Sequence, residues 1–438
     1  MKMGLAFNAH IQAWRHWAGS ALCQLFRKPR AVAMRLLRPT VYRLAQALPS
    51  SLPAGPPVTV VGYIRASKGV GEVARGSILA LQQVGQPVRY IDVEPKPTLD
   101  DTDLPSNLPV RGEHGINLLH VNAANVQQTY RLMERGFFKD TINVGFWFWE
   151  MPTFPDKWYG AFSLFDEIWV GSSYTQATLA AVSPIPVLRM RNTVQPATPA
   201  QQTRSELGLP EDRFLFLFSF DVCSIMERKN PQAVIRAFHK AFGAPESGPL
   251  LVLKLNNSDL AAGRETELGL AAGTIAELRL AIDSVNGILL DRRLDRATTS
   301  ALMAACDCYV SLHRCEGFGL TMAEALYFGK PCIATAYSGN MDFMTPANSY
   351  PVGYRLVTLQ RNWGPYEAGD QWAEPDVDHA AALMRQVVAQ PEEATARGRQ
   401  GAEDIRREYN ASAVGHAIQR RLQLLVLRRF SKKRFGSY

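Results

Sequence analysis

No acidic residue occurs before Glu72 in this chain of 438 residues. Lys2, Arg15, Arg27, Lys28, Arg30, Arg35, Arg38 and Arg43 occupy the same acid-free head, and together they equal the whole net charge of +8, so the remainder is balanced. Long apolar runs are also missing: no stretch reaches the roughly 18–20 residues of a membrane span. Ala18 to Phe26 is short, polar-interrupted and followed by no convincing cleavage site, so it does not read as a signal peptide. Cysteine is scarce, and Cys23, Cys223, Cys306, Cys308, Cys315 and Cys332 lack metal-ligand spacing. Most fall in predicted strands or helices, where thiols act as small apolar groups, which points to a reducing, cytoplasmic compartment. There is no solenoid-period repeat, no low-complexity tract and no nucleic-acid-binding motif, so nucleic acid is not an expected partner.

What the termini do contain is basic and amphipathic. Trp14, Trp17, Leu22, Leu25 and Phe26 recur at helical spacings among Arg and Lys. Such a helix suits an anionic membrane face, here the inner face of the plasma membrane. Packing on the body or a partner, or a disordered arm, stays open. Arg420, Arg421, Arg428, Arg429, Lys432, Lys433 and Arg434 surround Leu422, Leu424, Leu425 and Leu427 at the other end, repeating the pattern.

Between the termini, strand-like and helix-like patterns alternate in two series. Apolar runs at Val58–Ile64, Val88–Ile91, Ile116–Val121, Asn143–Trp149, Glu167–Val170 and Pro184–Val187 predict the first set of strands. Phe214–Phe220, Leu250–Leu255, Ile288–Asp291, Cys308–Leu312 and Cys332–Thr335 predict the second. A helix is expected over Pro231–Phe242, with Pro231 in its first turn and another capped by Ser172 or Ser173. The fold class is therefore α/β, with doubly wound parallel sheets that bind ligands beyond their strand C-termini. Residues 1–55 form a basic extension, 56–200 and 201–405 two Rossmann-like domains, and 406–438 a basic C-terminal helix.

The most specific signal is Tyr309 to Met344. A strand runs into a loop carrying Glu316; Gly317 and Gly319 permit close backbone approach, and Leu320 opens a helix with Glu324 on its second turn. Two carboxylates thus flank a helix N-terminus whose N–H groups suit a phosphate. Carboxylates pair with sugar hydroxyls, so the segment outlines a nucleotide-sugar pocket.

Glu316-Gly-Phe-Gly-Leu-Thr-Met-Ala-Glu324, then Gly329-Lys-Pro and Ala334 to Asn340, resembles the donor-site signature of retaining GT-B glycosyltransferases, nearest glycosyltransferase family 4, the group 1 transferases. The likeness is strongest over residues 205–345 and looser over 58–195. It implies two facing Rossmann-like domains, acceptor-binding first and nucleotide-sugar-binding second. It further implies metal-independent transfer of a hexose, with retention, to a saccharide or lipid-linked glycan, as in surface polysaccharide synthesis. Glu316 would contact the donated sugar and Glu324 the nucleotide ribose, with Gly317, Phe318, Gly319, Leu320 and Asn340 completing the donor motif. Lys229 fits the family's diphosphate-gripping lysine. Arg228 stands in for an upstream arginine, because that stretch reads Asp221-Val-Cys-Ser224. The donor is a substrate, so no cofactor is expected. Asp101-Thr-Asp103 has the letters of a GT-A metal motif but sits in a Pro-rich loop, so no metal is expected either.

Gly69-Val-Gly71 with Ala74 spells G-x-G-x-x-A, and Asp92 follows, which keeps a nicotinamide-dependent dehydrogenase as an alternative. Arg65 to Lys68 separate these glycines from the strand, where a dinucleotide loop would turn at once; the resemblance to GT-B transferases instead implies a loop facing the donor phosphate and the acceptor. Gly145-Phe-Trp-Phe-Trp-Glu-Met-Pro152 places Trp149 and Glu150 where the family often has a histidine. Glu150 is a catalytic candidate, able to orient a hydroxyl or shield positive charge. Trp147 and Trp149 offer sugar-stacking faces, at least one of them expected in the core; His120 and Asn122 offer polar contacts, and His313 reads as structural. A catalytically silent GT-B-like binding subunit is the second alternative.

Overall fold

The computed structural model describes residues 56–66, 68–94, 115–258 and 274–435. The basic head and the Asp101–Asp103 loop lie outside the described residues. Six strands build the first sheet: β1 (Val58–Gly62), β2 (Val88–Asp92), β3 (Ile116–His120), β4 (Ile142–Trp147), β5 (Glu167–Val170) and β6 (Val187–Arg189). They are all parallel, in the order β2-β1-β3-β4-β5-β6. Every residue of β1, β3, β4 and β5 is buried, the expected result when helices cover both faces of a parallel sheet. Helices α1 (Gly69–Gln83), α2 (Val126–Leu132) and α3 (Ser173–Ala180) supply part of that cover.

The second sheet comprises β7 (Leu215–Asp221), β8 (Leu250–Asn256), β9 (Ile288–Leu290), β10 (Cys308–Ser311), β11 (Cys332–Thr335) and β12 (Tyr350–Val352). It too is parallel, in the order β12-β11-β10-β7-β8-β9. Its helices are α4 (Met226–Lys229), α5 (Pro231–Phe242), α6 (Thr274–Asp283), α7 (Arg296–Ala305) and α8 (Leu320–Tyr327). An antiparallel hairpin, β13 (Tyr354–Thr358) and β14 (Gln371–Pro375), then precedes α9 (Val377–Ala389), α10 (Pro391–Glu408) and α11 (Ala411–Phe435). Two doubly wound parallel sheets make the GT-B arrangement.

Two local readings are corrected. The strand expected at Pro184–Val187 begins only at Val187, because Pro184 and Pro186 have no N–H to give a ladder. Gly69 and Gly71 do not form a loop; they make the first turn of α1. Helix α11 returns to the first domain and packs on α1, where Val414, Ile418, Leu422 and Leu425 join a core with Val73, Ile78 and Leu81. Gly415 permits the close crossing, since a β-carbon there would collide with the Ala80 carbonyl. Only Leu424 and Leu427 of the four leucines remain exposed. Among the described residues no helix is long and apolar enough to cross a membrane.

An ion pair locks α11 down. Glu167, 0% exposed on β5, accepts Arg421 Nε at 3.0 Å and Nη2 at 2.5 Å, and also the Trp169 indole N–H at 2.6 Å. Removing one member of a buried pair strands the other charge, at about 3–5 kcal/mol. Arg421→Met is therefore expected to lower the thermal midpoint by several degrees, and adding Glu167→Gln to recover part of the loss, both read by differential scanning calorimetry.

Candidate functional site

Strand β10 ends at Ser311 and delivers the loop that carries Glu316. Gly319 takes φ +93°, a left-handed conformation that glycine tolerates without strain, and α8 starts at the next residue. The loop is pinned from beyond β11. Glu316 N donates to Ser338 Oγ at 2.8 Å, Gly339 N donates to Glu316 O at 2.9 Å, and a β-carbon on Gly339 would overlap Gly317. The backbone of Glu316 is thus held while its carboxylate faces α4.

Helix α4 brings two adjacent cations to that carboxylate. Arg228 Nη1 lies 3.0 Å from Glu316 Oε2, and Lys229 Nζ lies 2.5 Å from Oε1. Arg228 Nη1 also donates to the Cys315 carbonyl at 3.1 Å. Burial alone would push the Glu316 carboxyl up, but Arg228 and then Lys229 outweigh it and hold it at about 2. Left-handed residues flank the pair, Ile225 at φ +57° and Asn230 at φ +55°. Asparagine accepts that conformation readily; a β-branched isoleucine does so only under strain of about 1–3 kcal/mol. Ile225 is held there by burial beside Tyr366 and Trp372.

Glu324 faces a cavity of about 230 Å³ lined by Glu72, Arg75, Thr193, Arg296 and Leu320 among others. Burial, and next the charge of Glu72, push its carboxyl up to about 8 against the opposing pull of Arg296. Glu72 comes from α1 in the first domain; it pairs with Arg75 on its own helix and with Arg296, 3.0 Å away at the start of α7. The cavity therefore lies between the two domains. Thr193 Oγ1 is buried beside it without a hydrogen-bond partner.

Glu316, Arg228 and Lys229 form one ion cluster, and Glu324 with Leu320 lines the cavity at the start of α8. Other expected donor residues lie elsewhere. Phe318 is 3% exposed and packs on Phe343 and Tyr409, so it belongs to the core. Asn340 is 0% exposed; its amide donates to Thr335 O at 2.9 Å and its oxygen meets His313 Nε2 at 3.1 Å, so it braces the loop rather than facing a donor. Gly317 turns its carbonyl to Ser172 Oγ at 2.6 Å, joining the loop to α3 of the other domain. Gly71 is required for packing, since a β-carbon would lie 2.5 Å from Tyr63 O. Gly69 sits open at the start of α1, seven residues after the end of β1, unlike the immediate turn of a dinucleotide loop.

Trp147 and Trp149 are both buried, so neither offers a face for stacking on a sugar. Glu150 follows them and accepts the Tyr366 hydroxyl at 3.0 Å. His313 is structural, bonded at Nδ1 to Ser311 Oγ and at Nε2 to Tyr337 O and Asn340 Oδ1. His120 is stacked on Phe146 and held neutral by burial, its pKa pushed down to about 3. Asn122 accepts Phe148 N at 2.9 Å. Tyr366, Glu72 and Arg296 were not among the sequence candidates. Nothing local marks the hairpin that carries Tyr366, nor Glu72 or Arg296.

Residues 287–355 match the family model for glycosyl transferases group 1. No curated protein sequence matches the chain. Among solved structures, sucrose-phosphate synthase from Thermosynechococcus elongatus is similar with a TM-score of 0.61 at 15% identity, over 85% of this chain and 100% of that one. HepE of Anabaena, solved with UDP and glucose, gives a TM-score of 0.57 at 13% identity over 84% and 100%. A glycosyltransferase from Rickettsia africae gives 0.57 at 13% over 88% and 100%. At such identities these three speak for the fold. The chain is a GT-B-fold protein that carries the group 1 glycosyl transferase signature in its second domain.

Proposed function

We propose that this protein transfers a hexose from a nucleoside-diphosphate sugar to a saccharide or lipid-linked glycan, with retention and without a metal, in surface polysaccharide synthesis. The observation that carries the reading is the carboxylate of Glu316 held between Arg228 and Lys229 at the loop preceding α8. A diphosphate competes with Glu316 for those cations. Once phosphate oxygens take up Lys229 and Arg228, the carboxylate is released to accept hydroxyls of the donated sugar. Glu324, in the cavity at the start of α8, is the candidate for the ribose. In the family's retaining chemistry the bond from the anomeric carbon to the phosphate oxygen breaks as the acceptor oxygen bonds on the same face. The acceptor proton passes to the departing phosphate, so no dedicated base is required. HepE, a relative in fold, was solved with UDP and glucose, which makes UDP-glucose the first donor to try.

Lys229→Met removes a cation aimed at the leaving group while sparing the buried Arg228. Its kcat/KM for UDP-glucose turnover, measured as UDP release, is expected to fall about 10²–10³-fold. An unchanged value removes Lys229 from the reaction.

The cavity acid gives a second expectation. Burial and the Glu72 charge hold the Glu324 carboxyl up at about 8. Ribose hydroxyls donating to it favour the ionised form, so binding expels a proton and affinity rises with pH until that value is passed. UDP affinity measured by calorimetry is expected to increase between pH 7 and 8 and level off near pH 9. Glu324→Gln is expected to flatten the profile, and a parallel rise in the variant would count against the assignment.

Work at the cytoplasmic face of an anionic membrane is part of the same reading, supported by the acid-free head. Deleting residues 1–50 is expected to reduce sedimentation with phosphatidylglycerol-containing vesicles; equal binding would reject the anchor role.

A further inference from the structure

The hairpin β13–β14 and its connecting loop leave the second domain and, although β13 and most of the loop stay exposed, insert a few side chains into the first. Leu359, Tyr366 and Trp372 join an aromatic cluster with Trp147, Trp149 and Phe154. The strap is fastened across the domains by Thr153 Oγ1 donating to Asp370 Oδ2 at 2.6 Å and by Lys157 paired with Glu367 at 2.7 Å. At its base Arg314 pairs with Glu374 at 2.7 Å and with Glu227, the neighbour of Arg228, while its guanidinium lies over the Trp372 ring. The strap is therefore built into the same unit as the Arg228–Lys229–Glu316 cluster.

At the tip, Tyr366 is 4% exposed with its ring 5.5 Å from that of Trp149. A phenol so deeply buried needs a hydrogen-bond acceptor, and Glu150 Oε2 is the one at 3.0 Å. The other oxygen, Glu150 Oε1, lies 3.7 Å from where a β-carbon of Gly317 would stand, beside the Glu316 loop. One oxygen of Glu150 is thus committed to the strap, and the other borders the donor loop.

We propose that Tyr366 is a positioning residue for the acceptor side of the cleft: its hydroxyl, carried across from the second domain, holds Glu150 so that Oε1 can orient an acceptor hydroxyl toward the donated sugar. The inference rests on the glycosyl-transfer reading for its acceptor, but the Tyr366–Glu150 orientation is testable without turnover. A charge-assisted hydrogen bond of this kind selects one carboxylate rotamer, which ring packing alone does not do.

Tyr366→Phe keeps the ring and deletes only the hydroxyl. With UDP-glucose as donor and n-octyl β-D-glucopyranoside as acceptor, it is expected to lower the ratio of transfer to donor hydrolysis at least tenfold by raising the acceptor KM. UDP affinity and hydrolysis are expected to stay within about twofold, the margin of a change outside the donor contacts. Glu150→Gln is expected to give a similar loss, and Tyr366→Phe to add little in that background, since both act through one contact. Equal falls in hydrolysis and transfer, or fully additive losses, would overturn the proposal. If the unaltered chain turns over no UDP-glucose, the transferase reading loses its first donor and the orientation is decided by crystallography. Glu150 turning away from the Gly317 loop in Tyr366→Phe supports the positioning role, and Glu150 unmoved refutes it.

Discussion

A carboxylate removed from water stays ionised only where cations meet it, and the candidate site is organised around one such acid. Glu316 is 9% exposed and faces two cations from a single short helix. Desolvation opposes each of these charges; their mutual attraction compensates only at close range and in fixed geometry. Much of the surrounding irregularity serves that geometry. Ile225 and Asn230 take left-handed backbone on either side of α4, Cys315 gives its carbonyl to Arg228, and Gly339 is bare so that the Glu316 backbone can be gripped. Eight residues on, Glu324 is raised by burial and then by a neighbouring carboxylate, with one arginine at the domain boundary in opposition, and its pKa moves the other way. One short motif thus presents two acids whose pKa values are pushed in opposite directions.

Closure of the cleft depends on contacts that run between the domains at several heights. Ser172 reaches Gly317 O, Ser173 N donates to Asp342 at 2.8 Å, and Arg189 pairs with Asp342 at 3.2 Å. Glu72 and Arg296 meet beside the Glu324 cavity, and the strap spans the Trp149 side. Several of these are single polar bonds of partly exposed groups, each individually weak. The strap is different, because it inserts Tyr366, Leu359 and Trp372 into an apolar cluster. That difference places an apolar interdomain joint next to Glu150, whereas the Glu72–Arg296 joint beside Glu324 is polar.

The regular framework was readable in the sequence because its strands are apolar on both faces and its helices are bracketed by proline, glycine and serine. Glu167–Val170, Pro231–Phe242 and Cys332–Thr335 have the bounds their patterns predict. Pro184–Val187 misled because an apolar run containing two prolines cannot donate to a ladder. The pairing of Lys229 with Glu316 was legible as a convergence of cation and acid on one cleft. The burial of Asn340 and Phe318 was not, since a motif places residues along the chain and is silent about which side chains turn inward. Both tryptophans of the β4 end proved to be core, where the sequence pointed to at least one; residues two apart along a strand lie on the same face.

By itself the sequence determined the doubly wound α/β class, the two-domain order and the acid-glycine turn preceding α8, because each is written in local periodicity, backbone permissiveness and charge. Only the tertiary structure decided which acids are ionised, which tryptophans are spent on packing, and that a hairpin from the second domain delivers Tyr366 to Glu150. Ionisation depends on distances between groups far apart in the chain, such as Glu72 and Arg296 or Arg228 and Glu316, and those distances exist only once the two sheets have been brought together.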